Sequence, residues 1–203
     1  MNKKKILALV LARKNSTRLK NKNILILKNK PLINWTLDFL KKKKINKYFT
    51  DVFVSTDSLK INKISRKYNF LSPWLRPKKL SGRYSSSVTT ALHALKWYEK
   101  NVQKVDGLFL FQPTSPFRKE KKIVEAINLF VKYKKQIVSI TSKKTAKFKK
   151  GQVNGSLYLT PTEILKKKKT FNYKGFFKIK MASQKENIDI DTIDDFNNAK
   201  RYV

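Results

Sequence analysis

The stretch KILALVLARKNSTRLKNKN, residues 5–23, joins an apolar run to a loop holding five cations, Arg13, Lys14, Arg18, Lys20 and Lys22, with no acid and no glycine. The run reads as a buried strand over 5–11, so the cations gather where that strand ends. A basic start before seven apolar residues also looks like a short signal peptide, but the run has the minimum length for one and the loop follows at once. A loop so charged either repels itself to no purpose or awaits a strongly anionic ligand.

Beyond it, short apolar runs alternate with helical periodicity. PLINWTLDFLKK (31–42) reads as a helix starting at proline, DVFVSTD (51–57) as a strand, and SLKINKISRKY (58–68) as a helix capped by Ser58. A Pro- and Ser-rich loop over 72–87 leads to a helix at about 88–100. DGLFLFQ (106–112) and QIVSIT (136–141) are strands flanking an amphipathic helix over 119–133. GSLYLT and FFKIKM have β character, 142–152 reads as an exposed hairpin or loop, and a last helix covers about 192–202. This alternation predicts an α/β fold whose largely parallel sheet is covered on both faces. It also predicts one domain over 1–203, with no internal repeat. Open α/β sheets bind ligands beyond the carboxyl ends of their strands. The chemistry is therefore expected in 12–23, 55–58, 112–118 and near 189.

The 203 residues include 48 Lys and Arg against 13 Asp and Glu, a net charge of +35. Such an excess predicts non-specific attraction to nucleic acid and other polyanions; a solvated lysine surface is the plainer reading. The absence of Cys excludes disulfides, zinc–thiolate sites and thiol nucleophiles. The single His, His93, excludes a multi-histidine centre and reads as a packed helix residue. Any metal must be held by oxygen, which suits Mg²⁺. No run approaches the ~20 apolar residues of a membrane span, so no membrane partner is expected and the cytoplasm is the expected compartment.

Lacking glycine, the loop 12–23 is no Walker loop, yet arginine forks and lysine point charges suit a triphosphate. Five of the 13 acids, Glu186, Asp189, Asp191, Asp194 and Asp195, fall within ten residues. If NIDID is a strand, Asp189 and Asp191 share one face and can hold Mg²⁺ together with nucleotide phosphates. Alternatively, Asp191 or Thr192 caps the last helix, with Asp194 or Asp195 in its first turn. FQPTSPFR (111–118) ends a strand on Gln112 and a rigid turn, and Ser115–Pro116 reads equally as a helix start. Ser87 stands before an apolar run as a helix cap.

In order and spacing, LARKNSTRLKNKN, KPLINWTL, VSTD, LRPKKL, the serine run 85–87, LFQPTSPFR, NGSLYL and IDIDTIDDF resemble the CMP-sialic acid synthetases, or acylneuraminate cytidylyltransferases, over nearly the whole chain. The resemblance implies a Rossmann-like three-layer nucleotidyltransferase fold. It implies transfer of CMP from CTP to a 2-keto sugar acid, an N-acylneuraminate or related nonulosonic acid, with pyrophosphate released. Arg13 and Lys22 match phosphate-binding cations and Asn23 a ribose contact. Arg76 and Ser87 match residues around cytosine and ribose, Gln112 one near the sugar, and Asp189 with Asp191 the Mg²⁺ pair. Arg13, Lys22 and Asp191 are then the catalytic candidates, with Asp191 orienting or deprotonating the attacking hydroxyl. The chain departs from the pattern at Thr17 (usually Lys), at Arg83–Tyr84 (Asp–Thr) and at Phe171–Asn172 (two aromatics). The segment around 142–180, which in relatives helps bind sugar and builds a dimer arm, is shortened, so any homodimer would rest on a reduced arm. The alternatives are a 3-deoxy-octulosonate-type enzyme, a CTP-binding homologue without turnover, and a basic nucleic-acid-binding module. The last lacks aromatics interleaved with its cations as a stacking platform requires.

Overall fold

The computed structural model describes residues 4–82, 84–171, 173 and 175–203. The chain runs through β1 (Ile6–Leu11), β2 (Ile26–Leu27), β3 (Lys30–Pro31), α1 (Leu32–Lys41), α2 (Lys43–Asn46), β4 (Asp51–Ser55), α3 (Leu59–Lys67) and α4 (Ser87–Asn101). It continues through β5 (Gly107–Phe111), α5 (Glu120–Tyr133), β6 (Ile137–Thr141), β7 (Val153–Pro161), α6 (Thr162–Lys168), β8 (Phe177–Met181) and α7 (Ile193–Lys200). Six strands form one sheet in the order β4-β1-β5-β7-β6-β8. β1 runs parallel to β4 and β5, and β6 parallel to β8, while β7 runs against both its neighbours. β7 is reversed because a hairpin leads into it from β6, and a hairpin can join only antiparallel strands.

The alternation along β1 divides the core. Ile6, Ala8 and Val10 pack with Ile33 and Leu37 of α1 and with Ile123, Ile127 and Phe130 of α5. Leu7 and Leu9 face Ala91, Leu95 and Tyr98 of α4 and Leu165 of α6. A strand apolar on both sides must be covered on both sides, and the three layers follow. Gly107 allows the close approach of α5: a Cβ there would lie 2.5 Å from Phe130 Cζ. A separate cluster of Leu27, Leu32, Ile188, Ile190, Phe196 and Ala199 fastens α7 and the segment before it to the β2–β3 ribbon. That cluster carries residues 188–191 to the basic loop.

Several local expectations give way to tertiary context. Pro31 pairs with Ile26 in β3, and α1 starts one residue later. Ser58 caps α3 as expected, accepting from Ile61 N at 3.4 Å. Ser86, not Ser87, caps α4, because its hydroxyl accepts from Thr89 N at 3.0 Å. Ser115–Pro116 starts no helix: α5 begins at Glu120, and Ser115 Oγ is buried without a hydrogen-bond partner. Residues 188–191 form no strand of the sheet; Ile190 N donates to Thr114 O at 2.8 Å instead. His93 is a packed residue of α4, its ring edge-on to Trp74 at 4.9 Å. Arg83 and Asn172 lie outside the described residues. Among the described residues, no helix is long and apolar enough to cross a membrane.

Candidate active site

The loop after β1 is fastened at both ends. Ala12 N donates to Ser55 O at 3.1 Å and Lys14 N to Asp57 Oδ1 at 2.7 Å, which ties the loop's start to the end of β4. Further on, Asn23 Nδ2 donates to Arg13 O at 2.9 Å, and Arg13 Nη1 reaches Gly82 O at 3.2 Å. Asn21 takes a left-handed conformation, φ 55°, which asparagine tolerates, and so turns Lys22 inward. Lys22 is buried; its Nζ donates to Ile190 O at 2.7 Å and pairs with Asp191 Oδ1 at 2.9 Å. An ammonium has three donors, so one N–H of Lys22 remains beyond these two bonds.

The acids stand opposite. Asp191 also meets Arg18 Nη2 at 2.9 Å and Lys147 Nζ at 3.3 Å. Burial works against its charge, but Lys22, Lys147 and Arg18 prevail and hold it below the ordinary carboxylate range. Asp189 differs. Burial first, and the neighbouring Asp191 charge second, raise it, although Lys147 at 3.2 Å and the Thr114 side chain oppose the shift. Asp195 completes a capping box with Thr192: its carboxylate accepts from Thr192 N at 2.9 Å, while its own N–H donates to Thr192 Oγ1 at 3.2 Å. Thr192 is therefore the cap, and Asp189 and Asp191 are left facing a common cation. Their oxygens are of the kind a hard divalent ion takes; the cation between them is the Lys147 ammonium. Among the described residues, no group of three or more acids or imidazoles is placed to hold a metal alone. The remaining ligands would be phosphate oxygens and waters, the usual arrangement for Mg²⁺.

The eight residues to which the resemblance gives a site role, Arg13, Lys22, Asn23, Arg76, Ser87, Gln112, Asp189 and Asp191, line one cavity of about 360 Å³, while Lys14 and Lys20 of the basic loop do not. It opens at the carboxyl ends of β1 and β5, as the rule for open sheets requires, whereas none of the residues 55–58 after β4 lines it. Arg76 is buried and donates from Nε to Ser55 Oγ at 3.1 Å and from Nη2 to Ser55 O. Burial lowers it to about 10, which leaves it charged at neutral pH. Ser87 opens α4, whose N-terminal turn with Ser85 and Thr90 forms one wall; the dipole of that helix favours an anion there. Gln112 extends beyond β5 with its Oε1 3.4 Å from where a Cβ on Gly155 would lie. Gly155 has φ +79° inside β7, where the register with β6 shifts, a backbone conformation that glycine adopts freely.

The sequence missed Ser16, Thr90 and Thr114 in the same wall. It also missed Lys147, on the hairpin expected to be exposed. The hairpin is exposed over most of its length, as expected, but Phe148 is buried and Lys147 beside it reaches the acids. Thr114 had a signal in the polar turn after β5; Lys147, one of many lysines, had none.

A family model described as Cytidylyltransferase matches residues 7–201. The chain is 37% identical over 141 residues to an N-acylneuraminate cytidylyltransferase of Escherichia coli O18:K1:H7, covering 68% of this chain and 31% of that protein. It is 34% identical over 137 residues to a CMP-N,N'-diacetyllegionaminic acid synthase of Legionella pneumophila, covering 68% of this chain and 58% of that one. The chain thus matches well under two thirds of either relative's length. The structure of a CMP:2-keto-3-deoxy-manno-octonic acid synthetase complexed with CTP superposes with a TM-score of 0.73, covering 98% of both chains at 11% identity. Likeness at that identity is a likeness of fold.

Proposed function

We propose, for a chain that belongs to the cytidylyltransferase family, that it transfers CMP from CTP to a 2-keto sugar acid of the nonulosonic type and releases pyrophosphate. The observation that carries this reading is the single cavity in which residues from 13 to 191 meet as a basic wall and an acidic pair. Arg13, Arg18 and Lys22 face the triphosphate, and the α4 N-terminus with Ser87 and Arg76 receives the nucleoside. Gln112 presents an amide to the acceptor sugar. Its anomeric hydroxyl attacks the α-phosphorus, the bond to the β-phosphate breaks, pyrophosphate leaves, and the hydroxyl's proton passes to solvent water. The cations stabilise charge on the phosphates throughout. Asp189 and Asp191 would hold a divalent ion, Mg²⁺ by its preference for oxygen, whose chemistry is to neutralise and orient phosphate oxygens. Asp191, kept ionised by its cations, accepts a hydrogen bond from the attacking hydroxyl and so orients it.

The test is pyrophosphate release from CTP with a panel of sialic, legionaminic, pseudaminic and 3-deoxy-octulosonic acids. Release with one acid establishes the transfer and its acceptor together. Silence across the panel from folded protein that binds CTP would replace this reading with nucleotide binding without turnover.

A further inference from the structure

Lys147 reaches the acidic pair from the β6–β7 hairpin, 142–152. Its Nζ lies 3.2 Å from Asp189 Oδ2, 3.3 Å from Asp191 Oδ2 and 3.2 Å from Asp195 Oδ2, and it donates to Asp189 O at 2.6 Å. The hairpin holds it there: Thr141 Oγ1 donates to Lys149 O at 2.7 Å, Thr145 N to Phe148 O at 2.9 Å, and Phe148 is buried. A divalent ion bound by the same two carboxylates needs oxygens at about 2.0–2.1 Å for Mg²⁺. The ammonium and the ion cannot both sit between them.

Charge points the same way. Asp189, Asp191 and Asp195 are met by Arg18, Lys22 and Lys147. A bare metal added to that balance would face the cations alone, whereas a metal bound to a triphosphate brings its own negative charge. There is also space for withdrawal. The cavity of about 230 Å³ that Lys147 lines together with Asp189 and Asp195 extends past Thr145, Gln184, Asn198 and Tyr202, so the side chain can swing off the pair.

We propose that Lys147 is an internal counter-ion that occupies the divalent-ion position of the free protein and yields it when a metal–nucleotide complex arrives, making metal entry conditional on nucleotide. The proposal rests on the reading of the cavity as a nucleotide site. Its test is metal binding, separate from turnover: titration of the full chain with Mn²⁺ alone, following the free aqua ion by electron paramagnetic resonance. Lys147→Met should bind Mn²⁺ at least tenfold more tightly than wild type, while Lys147→Arg, which keeps the charge, stays within twofold of wild type. Adding Asp189→Asn to Lys147→Met should abolish the gain. If thermal melting shows that the methionine variant does not fold, Lys147→Gln takes its place. Equal affinity in wild type and the neutral variant would overturn the proposal. So would an equal gain in the arginine variant, which would implicate hairpin packing, or a gain that survives Asp189→Asn. Calorimetry of CTP in chelator judges the nucleotide reading independently: failure there would leave the Mn²⁺ comparison interpretable.

Discussion

Lys22→Met removes a charge from the centre of the candidate site while keeping most of the buried stem. Two bonds are lost. The Ile190 carbonyl, in a residue with no exposed surface, loses its donor at 2.7 Å, and stranding a buried acceptor costs about 1–3 kcal/mol. Asp191 loses a charge-assisted bond at 2.9 Å. Such a bond contributes about 1.5–3 kcal/mol, but Arg18 and Lys147 remain on the same carboxylate, so only part of it is forfeited. The low end of the first range and part of the low end of the second give about 2 kcal/mol. For a chain of this size, about 2–4 °C of melting temperature is lost per kcal/mol, so Tm should fall by about 4–8 °C. CTP affinity should fall as well, since the segment before α7 loses its tie to the basic loop and the phosphates lose a cation. Differential scanning calorimetry and CTP titration on the same preparation check both. A Tm within about 2 °C of wild type, with CTP affinity unchanged, would refute the assignment of Lys22 as the clamp between loop and acids.

Gly107→Ala should destabilise by about 1–3 kcal/mol through overpacking, because its Cβ would fall 2.5 Å from Phe130 Cζ; a urea midpoint equal to wild type would contradict this packing. Ser86→Ala should cost about 1 kcal/mol through loss of the α4 cap, while Ser87→Ala should leave stability alone and weaken CTP binding, so the reverse pattern would exchange their roles. Burial raises Glu186, but Lys119 and Ser183 outweigh it and hold the carboxyl below its ordinary range. Its stabilisation is therefore present above the unfolded value of about 4.3 and lost as pH falls through the lower folded value. Urea midpoints should drop below about pH 4 less steeply in Glu186→Gln than in wild type, and parallel curves would dispose of that contribution.

The basic loop and the strand before it were legible because both signals are local. Six consecutive apolar residues fix β1 as buried on two sides, and a cation cluster directly after them can only lie at its carboxyl end. Ser115–Pro116 shows the limit of local reading. The pair has the chemistry of a helix start, yet the turn it belongs to supplies the carbonyl of Thr114 to Ile190 and the carbonyl of Gln112 to Arg118 Nη2. Those bonds, one to Ile190 far along the chain and one within the turn, hold residues 113–119 outside any helix, and no periodicity reports them. The serines before α4 were misassigned by one residue for a lesser reason, since either hydroxyl could cap and only backbone geometry selects Ser86.

Lys147 shows why charge composition hides function in this chain. With 48 basic residues, another lysine on a hairpin carries no information until its partners are known. The acids are the scarce component, and where they collect decides which cations matter. Asp191 draws Arg18, Lys22 and Lys147 from two loops that lie more than a hundred residues apart. Lys147 would be indistinguishable from a solvated surface lysine without that carboxylate, whereas Arg18 and Lys22 are marked out by the loop that gathers them. The segment that bears it is held by Ile188 and Ile190 in the cluster with α7, not by strand pairing. The electrostatics of the site thus depend on the apolar anchoring of the backbone that carries the acids. A cavity-forming change there, such as Ile190→Ala, should loosen both the acids and the Ile190 carbonyl that accepts from Lys22.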